Sequence, residues 1–187
     1  MGSQLPGQGR YAHVERERRF LLAVLPDGLS EPRSIVDRHV LGTHLRLRKV
    51  TTPGGFTYKL AQKVRLVGDD PSAVKITNIY LDAAEYELLA ALPADGVTKT
   101  RCTLTQAGWT FAVDQFHGLL EGLLLAEVEL TSDSAHVEIP PFAVRDVTTD
   151  DRYTGGRLAA ATAREIAGLI RPPGPSERSH DDHRPAG

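Results

Sequence analysis

Charged residues recur at every second position in one segment of this chain after another. Glu15, Glu17 and Arg19 follow that spacing, as do Arg46 and Arg48, Lys99 and Arg101, and Glu127 and Glu129. Lys59 and Lys63 stand four apart, which keeps the same phase. In an extended strand, residues two apart share a face. The intervening residues are largely apolar: Leu45 and Leu47 beside Arg46 and Arg48, and Ala126, Val128 and Leu130 around Glu127 and Glu129. A helix would scatter these charges around its axis, so the pattern requires strands with one charged and one apolar face.

Eight short segments read as strands: 12–22, 35–41, 43–50, 56–66, 73–81, 97–104, 108–116 and 122–131. They are separated by turn signals such as Leu41-Gly42-Thr43, Pro53-Gly54-Gly55 and Ala107-Gly108. Two stretches read as helices. Asp82–Leu92 opens on an N-cap aspartate and carries Leu88, Leu89 and Leu92. Gly156–Ile170 is Ala-rich and stops before Pro172-Pro173.

For a single strand, alternation usually marks the solvated outside of a sandwich. Taken together, the charged faces hold Glu15, Glu17, Asp114, Glu127 and Glu129 against Arg19, Arg46, Arg48, Lys59, Lys63, Lys99 and Arg101. Both signs are concentrated on the same faces, and two helices are on hand to cover apolar outer surface. The expected fold is therefore α+β, mainly β: a closed eight-stranded antiparallel barrel with a polar interior and a few covering helices.

Carboxylates one pleat apart are hard oxygen ligands suited to Mg²⁺ or Mn²⁺. Arg and Lys clamp phosphate oxygens, Arg by bidentate hydrogen bonds. A polyanion with a divalent cation bridging it to the carboxylates satisfies both signs, which points to phosphoanhydride chemistry.

The formal net charge of −2 argues against a general nucleic-acid binder. The single cysteine, Cys102, allows neither an internal disulfide nor a cysteine-based zinc site. No run reaches the roughly 18 apolar residues of a membrane helix, and the N-terminus lacks the order of a signal peptide. A cytoplasmic protein with a small-molecule partner, no nucleic acid and no membrane is expected. Residues 1–10 and 172–187 read as disordered ends flanking a domain at 11–171. His180-Asp181-Asp182-His183 reads as a solvated part of that tail, not as a metal site.

The order of motifs resembles the CYTH superfamily, the triphosphate tunnel metalloenzymes. Glu15-Arg16-Glu17-Arg18-Arg19 is similar to the family's first-strand ExExK, with Arg for Lys. Arg46-Leu47-Arg48 matches its RxR, Lys63 with Lys59 beside it its strand lysine, and Lys99-Thr100-Arg101 its KTR. Val113-Asp114-Gln115-Phe116 resembles its aspartate strand and Glu127-Val128-Glu129 its late ExE. DVTTDDRYTGGRLA, with Arg152 and Tyr153, resembles its closing segment. The resemblance implies a triphosphate tunnel. Glu15, Glu17, Glu127 and Glu129 would hold Mg²⁺ or Mn²⁺, with Asp114 either a further ligand or a salt-bridge partner. Arg19, Arg46, Arg48, Lys59, Lys63, Lys99 and Arg101 would bind substrate, and Glu127, Glu129 and Arg152 would serve catalysis. The implied activity is metal-dependent hydrolysis of inorganic tripolyphosphate or a small organic triphosphate. A class IV-type adenylyl cyclase and a non-catalytic polyphosphate- or nucleotide-binding module are the alternatives. The chain departs from the family pattern at two places. Ile76 and Asn78 stand where many relatives carry Glu-x-Glu, and Thr154-Gly155-Gly156 where relatives often carry Lys and Asn.

Overall fold

A computed structural model describes residues 6–65, 70, 72–131 and 136–170. The strands are β1 (His13–Leu22), β2 (Ser30–Val40), β3 (Leu45–Thr52), β4 (Gly55–Arg65), β5 (Ala73–Leu81), β6 (Ala94–Gln106), β7 (Trp109–Phe116), β8 (Leu124–Glu129) and β9 (Ala143–Asp146). The helices are α1 (Ala83–Ala90), α2 (Gly155–Ala160) and α3 (Ala163–Ile170). Strand order is β5-β4-β3-β2-β6-β7-β8-β1-β9, and β1 also pairs with β5. That last pairing closes eight antiparallel strands into a barrel. Along β1, residues 13–16 pair with β5 and residues 20–22 with β9, while residues 17–21 pair with β8.

The register turns the sequence alternation into an inside and an outside. Cross-strand partners share a face. Arg19 stands opposite Glu127, Arg101 opposite Asp114, Arg48 opposite Lys59, and Lys63 opposite Ile76. All the charged faces therefore turn inward. The outward set Phe20, Leu22, Phe111, Val113, Ala126 and Val128 forms an apolar cluster that takes in Val137 and Phe142 from the segment crossing it. Phe111 meets both Phe20 and Phe142 edge-on, at 6.3 and 5.3 Å between ring centres. Each such buried side chain contributes about 1.5–3 kcal/mol.

Further along the same inner faces the residues become apolar. Leu21, Val97, Phe116 and Leu125 pack with Tyr153, Leu158, Ile166 and Leu169, so α2 and α3 dock on an apolar plug. The single helix expected over 156–170 is in fact two. Ala161 is extended, and Thr162 starts α3 with a reciprocal cap: its backbone N–H donates to Glu165 at 2.8 Å, and Glu165 N–H donates to its hydroxyl at 3.4 Å. α1 opens on the expected Asp82, which forms a capping box with Glu85. β9 was not expected, and β2 begins five residues earlier than expected, after a register shift between Ser30 and Arg33. Residues 6–10 are mostly turn; the expected tail 172–187, with its His180–His183 cluster, lies outside the described residues. Among the described residues no helix is long and apolar enough to cross a membrane.

Candidate active site: a charged tunnel

The barrel encloses a cavity of about 730 Å³. Glu15, Glu17 and Arg19 line it from β1, Arg46 and Arg48 from β3, Lys59 and Lys63 from β4, Lys99 and Arg101 from β6, and Glu127 and Glu129 from β8. Eleven of the thirteen site residues expected from the sequence thus meet in one space.

The other two do not line it. Asp114 faces inward but is fully buried beneath the cavity surface. Both of its oxygens accept from Arg101, at 2.6 Å each, and Oδ2 also accepts from Lys99 Nζ at 2.6 Å. Three cationic N–H donors take up the carboxylate, the arrangement of a salt-bridge partner. Arg152, expected to serve catalysis, does not line the cavity. Its side chain is 65% exposed and forks onto Asp150 at 2.9 and 2.6 Å, outside the tunnel. It lies in a short 3₁₀ turn, Asp151–Tyr153, where Tyr153 takes the buried direction and Arg152 is left facing solvent.

Alternation along β2 also brings in two residues that sequence reasoning missed, Asp37 and His39, both lining the cavity. They stand two apart on the inner face, the same signal that identified the other strands. Asp37 is buried and accepts from both arms of Arg48, at 2.6 Å each. Burial pushes its carboxyl pKa up, but the Arg48 hydrogen bonds and the charges of Arg48, Arg46 and Lys99 outweigh that and hold it well below the usual range. His39 is pushed down to about 4, chiefly by burial, with Arg46, Arg48 and Lys63 adding to the effect and Asp37 opposing it.

The charges are unevenly matched. Glu127 takes a short hydrogen bond from Arg101 and lies 3.6 Å from Arg19 Nε. Burial raises its pKa, but Arg101, Lys99, Arg19 and Lys63 together hold it ionised far below the usual range. Glu17 accepts from Arg19 at 3.0 Å. Lys63 reaches Glu15 only at 3.8 Å, and Arg46 Nε stands 3.8 Å from Asp37 with no hydrogen-bond acceptor. Burial lowers the pKa of both, followed by the charge of Arg48 for Arg46 and of Arg46 for Lys63; Arg46 falls to about 10. Lys59 sits 5.1 Å over the Tyr80 ring. Arg46 and Lys63 thus line the tunnel without strong acceptors, and Arg19 keeps a buried, unpartnered Nη1.

Glu129 has no ion pair among the described residues and stands directly across from Glu17. Glu15, Glu17 and Glu129 supply only oxygen donors, the chemistry a hard divalent cation takes. No three described His, Cys, Asp or Glu side chains already converge on one point. The donor types fit such an ion, but its coordination shell is not preformed.

No family model matches the chain. It is 33% identical to the inorganic triphosphatase of Nitrosomonas europaea over 156 residues, 78% of this chain and 97% of that protein. A shorter match, 39% identical over 62 residues, joins it to the inorganic triphosphatase of Acetivibrio thermocellus, covering 33% of this chain and 40% of that one. A crystal structure of an inorganic triphosphatase superposes with a TM-score of 0.52 at 29% identity, covering 79% of this chain and 95% of the other.

Proposed function

The chain belongs to the CYTH superfamily of inorganic triphosphatases, and we propose that it binds a linear triphosphate inside the barrel and hydrolyses a terminal phosphoanhydride bond with Mg²⁺ or Mn²⁺. The observation that carries this reading is the pair of poorly matched cations, Arg46 and Lys63, inside a closed tunnel where the other arginines already have carboxylate partners. In a low-dielectric enclosure such charges are costly alone and strongly attractive to an anion. A chain of phosphates spanning the cavity would meet Arg46 and Lys63 on one wall and Arg19 on another.

Glu15, Glu17 and Glu129, with Glu127 beside them, are the residues that would hold the divalent cation. Bound there, it would neutralise phosphoryl charge and lower the pKa of a water molecule. Arg19, Arg101 and Lys99 keep their positions through Glu17, Asp114 and Glu127, so the phosphate clamp is held before substrate arrives. The cations gathered on the inner wall suit a small anionic molecule held inside the barrel.

Phosphate release from tripolyphosphate, ATP and thiamine triphosphate, assayed with Mg²⁺, with Mn²⁺ and with EDTA, tests the proposal. Release from none of them, or release indifferent to EDTA, overturns it. One observation favours a binding-only module instead. Glu15, Glu17 and Glu127 are each paired with a cation. That reading requires tripolyphosphate to bind with no turnover under any metal, an outcome the same assay detects.

A further inference from the structure

Three polar atoms on one wall of the tunnel have neither solvent nor a hydrogen-bond partner: His39 Nε2, Arg46 Nε and Asn78 Oδ1. The register places them together. His39 on β2 is the cross-strand partner of Arg46 on β3, Arg46 is the partner of Ala61 on β4, and Ala61 of Asn78 on β5. All three residues line the cavity.

His39 is the member that can change its charge. Its imidazole lies against the start of α2, where Gly155 and Gly156 present no side chain. A Cβ on Gly155 would sit 3.4 Å from Nε2, and one on Gly156 would sit 3.6 Å from Nδ1. The ring therefore packs directly against the backbone of these two glycines at the tunnel wall. The charged groups facing it are Asp37 on its own strand, Arg46 and Arg48 on β3, Lys63 on β4 and Asp95, its partner on β6. The first turn of α2 contributes no charge there. Asp37 favours the charged ring and is the strongest of these charges, and Arg46, Arg48 and Lys63 oppose it. Asp37 is bound by both arms of Arg48, while Arg46 and Lys63 have a carboxylate only at 3.8 Å. An anion against Arg46 and Lys63 cancels the repulsion that adds to burial in disfavouring the charged ring, and offers the ring an acceptor.

We propose that His39 contacts the substrate: its imidazole donates to a non-bridging oxygen of the triphosphate held by Arg46 and Lys63, and takes up one proton from solvent as the complex forms. This rests on the proposed triphosphate site. No bond other than N–H is made, and the proton comes from bulk water. Binding is therefore linked to protonation at a single named residue.

The test uses ¹⁵N-labelled full-length protein and inorganic tripolyphosphate without metal at pH 6. The His39 ring, assigned by its loss in His39→Gln, should give the shifts of a neutral imidazole in the free protein and of an imidazolium at saturation. Calorimetry in two buffers of different ionisation enthalpy should show close to one proton more taken up by the parent than by His39→Gln, which should bind at least fivefold more weakly. A ring that stays neutral in the saturated complex, or equal proton uptake by the two proteins, overturns this assignment while leaving the triphosphate site intact. Absence of tripolyphosphate binding to the parent overturns both. The ring titration is read on the parent, so a poorly folding variant does not decide the outcome.

Discussion

Glu17 on β1 and Glu129 on β8 are direct cross-strand partners, two carboxylates side by side on the inner wall. Like charges so placed destabilise a sheet by about 0.2–1 kcal/mol. Glu129→Gln should therefore raise the melting temperature of the empty protein slightly. It should also weaken Mg²⁺ binding and abolish turnover while leaving metal-free tripolyphosphate binding unchanged or tighter. Calorimetric titration of Mg²⁺ and of tripolyphosphate separates the two effects. Lost tripolyphosphate binding in this variant would reverse the roles given to the two walls.

Arg46 is a buried cation whose nearest carboxylate is 3.8 Å away and already held by Arg48. Replacing a poorly paired buried charge by an apolar side chain is neutral or stabilising. Arg46→Met should leave the empty barrel as stable as the parent, or more so by about 1 kcal/mol. In the parent, tripolyphosphate at a hundredfold excess over Kd should stabilise the fold by about 2.7 kcal/mol. Arg46→Met should lose most of that gain at the same concentration in a thermal-shift experiment.

Asp114 is the opposite case, a buried carboxylate serving two cations at once. Removing one partner of such a cluster leaves uncompensated charge, at a cost of about 3–5 kcal/mol. Asp114→Asn should lower the urea midpoint by a corresponding amount, and adding Mg²⁺ should not restore it. A loss of activity at unchanged stability would contradict the structural role assigned to this residue.

Acid should destabilise the protein in two stages. His39 has a folded pKa of about 4, below the ordinary 6.5. Between those values the unfolded chain binds the extra proton, so stability falls as pH drops from 6.5 towards 4. Asp37, whose carboxyl pKa is held below the ordinary 3.8, adds its own loss as pH falls below that value. Urea midpoints measured from pH 7 to pH 4 should decline in the parent and be flatter in His39→Gln. Equal slopes would mean that His39 is not the group titrating.

The fold was legible because the charges kept strand phase across turns of unrelated composition. Any one strand, such as the one carrying Arg46 and Arg48, fits a sandwich exterior equally well. Only the requirement that seven cations and several carboxylates share a wall favours an interior. The site was largely legible for the same reason. Asp37 and His39 escaped because β2 mixes inward polar residues with outward Arg38, which blurs the alternation. The outward placement of Arg152 was not legible because it sits in a turn, where no period tells inward from outward. The break between α2 and α3 was written in Thr162-x-x-Glu165, a capping box inside an Ala-rich run that otherwise reads as continuous helix. Pairings among Asp114, Lys99 and Arg101 depend on register across β6 and β7, which local sequence does not contain.

β1 is bonded to β5, β8 and β9, strands that begin some 60 to 130 residues later in the chain. β1, made before all three, is thus among the last strands to find all its partners. Contacts of that sequence separation slow folding, because a long loop must close before they form. Until β8 is synthesised, β1 presents an open edge whose inner face carries Glu15, Glu17 and Arg19, charges that discourage pairing with another chain. The residues that equip the finished tunnel therefore also guard the nascent chain against aggregation.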